Sequence, residues 1–213
     1  MARGLQFWVK GWSGSITITD GIDSVVVTPE NSSSPFQVLK TLATNCQGQF
    51  GGTWAAEVTT DFFLKLSSTG AGTWSATLSG STDSIMGFSS SYSSVESMTA
   101  TSVSQGGFFP YADGNGLVYV MDVRIAGNKG VQLYDGSYWY NTPGTNHRRP
   151  VVRFSCLRSK VLEFVEASER MGTPAKVQIV DDDSDSSFYV GNIRTNETNA
   201  IDGWSQIQME LIR

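Results

Sequence analysis

Histidine is almost missing from this chain: His147 is the only one among 213 residues. That shortage removes most Ser-His-Asp triads and nearly every zinc site, because both need imidazoles at defined spacing. Charge is scarce as well, at 16% of residues, where roughly a quarter is ordinary. The balance is −5 with a pI near 4.8, which opposes a general nucleic-acid binder with its basic face. The two cysteines, Cys46 and Cys156, stand one in each half. They are expected as reduced, buried thiols, with a disulfide joining the halves as the alternative. No apolar run is long enough to span a bilayer, so no membrane partner is expected. The opening residues, MARGLQFWVKGW, lack the apolar core and cleavage site of a secretory signal, and synthesis in the cytoplasm in mature form is expected.

Phosphate-cradling and dinucleotide-binding glycine motifs are also missing. Gly11-Trp12-Ser13-Gly14 lacks the spacing and the following helix of a nucleophile elbow. No cofactor and no catalytic centre are expected.

What the chain has is glycine, serine, threonine and aromatics, the composition of a β-rich protein with many short connections. Leu5–Lys10, Ser15–Thr19 and Ser24–Thr28 read as strands. A helix is predicted over 35–47. Ser34 is its N-cap, Pro35 its first position, Gln37 the return partner of a capping box and Gly48 its stop. Val38, Leu39, Leu42 and Cys46 share its apolar face.

Strands follow at Trp54–Thr60, Phe62–Ser67 and Trp74–Leu78, with a helical turn opening at Ser81–Asp83. Residues 89–117 begin as a Ser/Thr-rich run and read as a linker or an extended crossing segment between an N-terminal unit, 1–88, and a C-terminal unit, 118–213. In the second unit Val118–Ala126 is a strand, and Val131–Tyr140 a hairpin turning at Asp135-Gly136. Asn141–Arg149 is a loop, and 150–157 a strand leading into a helix over 159–171. Val161, Phe164, Val165 and Ser168 form the helix's inner row, flanked by Leu162 and Met171. Glu166–Arg170 is an i, i+4 pair on its outer face. Gly172 and Pro174 end the helix, and strands at Lys176–Val180, Phe188–Arg194 and Ser205–Arg213 complete a sheet. The predicted class is mainly β (α+β): antiparallel sheets or sandwiches, each half with one short packed helix.

Few residues are candidates for recognition. Tyr138, Trp139 and Tyr140, with Tyr134, could stack on a sugar ring or fill a partner's pocket, against cross-strand packing as the plain alternative. Arg148, Arg149, Glu163, Glu166 and Arg170 are candidate assembly contacts. Asp181, Asp182, Asp183 and Asp185 lack the glycine and distant glutamate of a calcium loop and read as a solvated turn. A glycosidase would need two carboxylates meeting in space, and nothing selects a pair from Asp20, Asp23, Glu57, Asp61 and Asp113.

Two longer patterns carry a resemblance. Segment 36–88 runs from the helix FQVLKTLATNC through FFLKLSS and TWSATLSG to TDSIMGF, and it resembles a pattern in tailed-phage virion proteins. Segment 149–213 holds VVRFSCL, KVLEFVEASERMG, KVQIV, DDDSD, FYVGNI and WSQIQMELI in order, and is similar to the end of distal-tail proteins of the phage tail tip. The resemblance implies a non-enzymatic ring subunit that contacts copies of itself and joins tail tube to hub or fibres in the virion. A neck or tail-tube subunit shares these patterns, and a tail module that binds a host surface glycan or receptor is the alternative. The patterns cover scaffold positions, so no functional residue transfers.

Overall fold

The computed structural model describes residues 4–110, 119–124, 131–132, 138–139, 148–171, 175–180, 187–201 and 204–212. The chain opens with β1 (Gly4–Phe7), β2 (Val9–Lys10), β3 (Ile16–Thr19), β4 (Ser24–Val27), β5 (Ser32–Ser33) and α1 (Pro35–Phe50). Next come β6 (Thr53–Val58), β7 (Leu64–Thr69), β8 (Trp74–Leu78), α2 (Thr82–Met86), β9 (Ser91–Val95), β10 (Ser97–Thr99) and β11 (Phe109–Pro110). Then follow β12 (Tyr119–Arg124), β13 (Val131–Gln132), β14 (Tyr138–Trp139), β15 (Arg148–Leu157) and α3 (Arg158–Arg170). The last are β16 (Ala175–Val180), β17 (Ser187–Ile201) and β18 (Trp204–Ile212). The fold is mainly β with a few helices, and its paired strands run antiparallel, as composition and patterning predict.

A seven-stranded sheet has the order β11-β1-β16-β17-β18-β15-β12. A four-stranded sheet runs β4-β3-β8-β9 and a three-stranded one β10-β7-β6. Two-stranded ribbons join β2 to β5 and β13 to β14. The final strand, β18, lies inside the large sheet between β17 and β15, so its alternating pattern is that of a docked strand.

α1 starts where its caps place it. Ser34 Oγ accepts from Gln37 N–H, and Val38, Leu39, Leu42 and Cys46 are buried. Gln37 does not complete a capping box: its Oε1 accepts from Gln178 Nε2 at 2.9 Å. Gly48 is no stop either. The helix runs on to Phe50 and ends at Gly51, whose φ of 69° is the left-handed conformation that glycine adopts without strain. Phe62 also departs from expectation. It sits in a turn at φ 66°, and its strand begins only at Leu64.

Ser-Gly-Ser occurs at 13–15 and again at 79–81, and the two segments extend the β3–β8 ladder. Ser15 N–H donates to Ser79 Oγ at 2.9 Å, and Ser79 N–H returns to the Ser15 carbonyl at 3.0 Å. One step further, Ser13 N–H donates to Ser81 Oγ and Ser81 N–H to the Ser13 carbonyl.

The Ser/Thr-rich run is built into the sheets over its described part. β9 pairs with β8 and β10 with β7, so the chain crosses from the four-stranded to the three-stranded sheet. Met98, Ala100, Phe108 and Phe109 are buried; 111–118 lie outside the described residues.

The first strand joins the later part of the chain. β1 pairs with β11 on one side and with β16 on the other, with Gln6 opposite Gln178. Phe7, Phe109 and Phe164 form a ring cluster with centroids 5.0–5.8 Å apart, bringing β1, β11 and α3 together. Beside it Gln6, only 1% exposed, is the centre of a polar network. Its Oε1 accepts from Phe36 N–H at 2.7 Å and from Ser34 Oγ at 3.1 Å, and its Nε2 donates to Ser104 Oγ at 2.9 Å. Among the described residues one buried cluster runs from Leu5 to Val180 and includes residues on both sides of residue 88.

α3 buries Val161, Phe164, Ala167 and Met171, with Val165 and Ser168 half-buried. Ala167 takes the inner place, and Leu162 is 74% exposed. A one-position rotation of the apolar stripe separates this from the predicted row.

Candidate assembly surface

The described recognition candidates lie on three different elements, β14, β15 and α3. Tyr138 and Trp139 form β14, paired with β13 through Val131↔Trp139 and Gln132↔Tyr138, apart from the larger sheets. Tyr134, Tyr140 and the turn at Asp135-Gly136 lie outside the described residues. Arg148 and Arg149 are not in a loop. They begin β15, opposite Arg124 and Val123 of β12, at one border of the seven-stranded sheet. Glu163, Glu166 and Arg170 are exposed on α3, which follows the other end of β15.

The expected Glu166–Arg170 pair does not form. Arg170 Nη2 reaches across to the Gln105 carbonyl at 3.3 Å, and Glu163 pairs with Lys160 instead. Arg170 thus ties α3 to the crossing segment, because the Gln105 carbonyl lies within its reach on the neighbouring chain segment. Of the carboxylates weighed for hydrolysis, Glu57 faces Lys65 across β6–β7 at 3.7 Å and Asp20 and Asp23 share one turn. Asp113, the run 181–185, the helix stop at 172–174 and His147 lie outside the described residues. Among the described residues no group of three or more His, Cys, Asp or Glu is placed to hold a metal. No helix among them is long and apolar enough to cross a membrane. Cys46 is free and buried, and desolvation pushes its thiol pKa up to about 12.

Two further surface features stand out in the structure. The first is the β3–β4 hairpin. Val25 and Val27 point into the core while Val26 is 57% exposed, and Ile22 at the tip is 92% exposed. A rigid turn presents Ile22: Asp20 Oδ1 accepts from Ile22 N–H at 2.9 Å and from Asp23 N–H at 2.8 Å. Thr19 Oγ1 also donates to the Asp23 carbonyl at 2.7 Å. The amides of Asp23 and Ile22 hold the Asp20 carboxyl below its usual pKa, so it is charged at neutral pH. Among the described residues β4 ends its sheet and is hydrogen-bonded to a strand on one side only. The signal in the sequence was Val26 between two inward valines, next to an isoleucine in an Asp-Gly-Ile-Asp turn.

The second is a groove of about 300 Å³ between α1 and β6, lined by Lys40, Ala43, Thr44 and Gln47 on the helix and Trp54 and Ala56 on the strand. β6 also ends its sheet. Gln47 Oε1 accepts from Trp54 N–H at 3.4 Å, so that amide points away from β7 and towards the helix. Strand alternation aims the amide and carbonyl of Ala56 the same way. Nothing in the sequence marks this groove, because it arises from where α1 lies beside β6.

No protein family, curated protein or solved structure matches the chain.

Proposed function

We propose that this chain is a non-enzymatic structural subunit of a tailed-phage virion, a tail-tip or baseplate component that assembles with copies of itself. The observation that carries the reading is the β4 border, which among the described residues pairs with a strand on one side only and exposes Ile22 and Val26. Such an edge invites pairing with another chain unless charge, bulge or cover protects it. The two patterns at 36–88 and 149–213 supply the virion context, and the ring joins the tail tube to hub or fibres. The protein is then made in the host bacterial cytoplasm and resides in the virion tail.

The test is sedimentation of the purified chain together with mass spectrometry of purified virions. A closed oligomer and a tail-bound protein are expected. A chain that stays monomeric at its highest soluble concentration and is missing from tails overturns the reading.

A glycan- or receptor-binding role for Tyr138 and Trp139 has one observation in its favour, their place on a two-stranded ribbon apart from the larger sheets. Trp139→Ala should then lower binding to host cell surfaces, and unchanged binding removes that role.

A further inference from the structure

We infer that the outward face of the four-stranded sheet, β4-β3-β8-β9, packs against the same face of a second copy of this chain about a two-fold axis. This contact rests on the assembly reading above. It is not the one that closes a ring, because a two-fold contact pairs two copies and stops there.

The face is laid out in cross-strand rows. Thr17 stands between Val26 and Thr77, with Ser91 beyond Thr77, and the next row is Ser24, Thr19 and Ser75. The alternate residues Ile16, Ile18, Val25, Val27, Ala76 and Leu78 are buried, so the hydroxyls and Val26 point outward. No residue of β3, β4, β8 or β9 is charged, whereas β6 and β7 carry Glu57 and Lys65. A surface left to water ordinarily has charge at about a quarter of its positions or more.

Two properties select a second copy as the occupant. A hydroxyl both donates and accepts, so a face of Ser and Thr complements itself, as a face of carboxylates or of ammonium groups cannot. The chain also has a net charge of −5, so copies repel where their acidic residues meet, and these strands hold none of them. Val26, 57% exposed, adds apolar area at the β4 border. Four strands about 4.8 Å apart, with some five residues at about 3.4 Å each, give roughly 300 Å² a side. That is the size of a weak, concentration-dependent contact.

Methyl NMR of the full chain between micromolar and millimolar concentration tests this, with sedimentation equilibrium over the same range. The Thr17, Thr19, Thr77 and Val26 methyls should shift together as the copies pair. Thr77 is exposed in the central row, so Thr77→Lys and Thr77→Glu should fold, as their buried methyls will verify. Each should weaken pairing at least about tenfold by setting a like charge near its own copy, and an equal mixture of the two should pair again. Glu166→Lys, on the exposed side of α3, should change nothing. A Thr77→Lys chain that pairs like wild type, shifts confined to other elements, or shifts that need a different tail protein each overturn the contact. Rings that form without shifts on this face overturn it while leaving ring assembly standing, and a pair that forms without rings supports it and counts against the ring. Wild-type protein that never associates overturns both.

Discussion

Gly14 and Gly80 face each other at the end of the β3–β8 ladder, each pressed against the other's neighbour. A Cβ on Gly14 would lie 2.1 Å from the Ser79 carbonyl oxygen, and one on Gly80 would lie 2.4 Å from that of Ser13. Both have positive φ, 86° and 66°. Left-handed strain and main-chain overlap therefore act together, and no flexible side chain can give way. Gly14→Ala and Gly80→Ala should each cost roughly 2 kcal/mol or more in denaturant unfolding. Gly21→Ala, at φ 96° but with nothing within 4 Å, carries the strain alone and should cost less. Equal losses at all three sites would show that the close approach contributes nothing.

Local chemistry made α1 legible, since Ser34 and Pro35 act within one turn of where they stand. Its end lies beyond Gly48 because a helical glycine costs only about 1 kcal/mol, too little to stop a well-packed helix there. The stop is Gly51, where φ is positive. The Ser/Thr-rich run looked empty because β9 is an outer strand whose residues are exposed or half-buried. Tyr92 and Met98 still anchor it, through the Tyr92 hydroxyl bonded to the Thr99 carbonyl and through Met98 buried at 1% exposure. The repeated Ser-Gly-Ser was visible as a motif, and its meaning appears only once β3 and β8 pair. The α1–β6 groove had no signal, because it depends on contacts between segments and not on residue type.

Gln6 links α1, the crossing segment and the large sheet from a position with almost no water access. Gln6→Leu would keep the volume and leave Phe36 N–H, Ser34 Oγ and Ser104 Oγ without this partner. The expected loss is roughly 2–4 kcal/mol. Ser104→Ala removes one of these bonds and should cost about 1 kcal/mol. Chemical denaturation measures both, and a Gln6→Leu variant as stable as wild type would show that the network adds no stability.

Cys46 gives the fold a pH dependence at the alkaline end. Burial raises its thiol from 9.0 to about 12, so the folded chain holds the proton to higher pH than the unfolded chain. The contribution is complete below about 9 and disappears as pH rises from about 9 to about 12. Stability should therefore fall more steeply above pH 9 in the Cys156→Ser chain than in Cys156→Ser with Cys46→Ala. At pH 8 a thiol reagent should label Cys46 only at the rate of opening. Prompt labelling in native buffer, or parallel alkaline slopes, would contradict the buried thiol.

The division into 1–88 and 118–213 looks natural in the sequence, yet both sheet neighbours of β1 come after residue 88. In a fragment ending at residue 88, Leu5 and Phe7, both at 0% exposure in the whole chain, would lose β11, β16 and Phe164. Gln6 would also lose Ser104, and Gln37 would lose Gln178. The fragment should have poorly dispersed amide resonances or aggregate, whereas the full chain should unfold in one transition. Phe164→Ala tests the same coupling without cutting the chain. It empties the centre of the ring cluster and should cost about 3–5 kcal/mol, and amides of β1 should lose hydrogen-exchange protection along with those of α3. If only α3 loosens, the first strand is held by its own half, and the two-unit division of the chain is right after all.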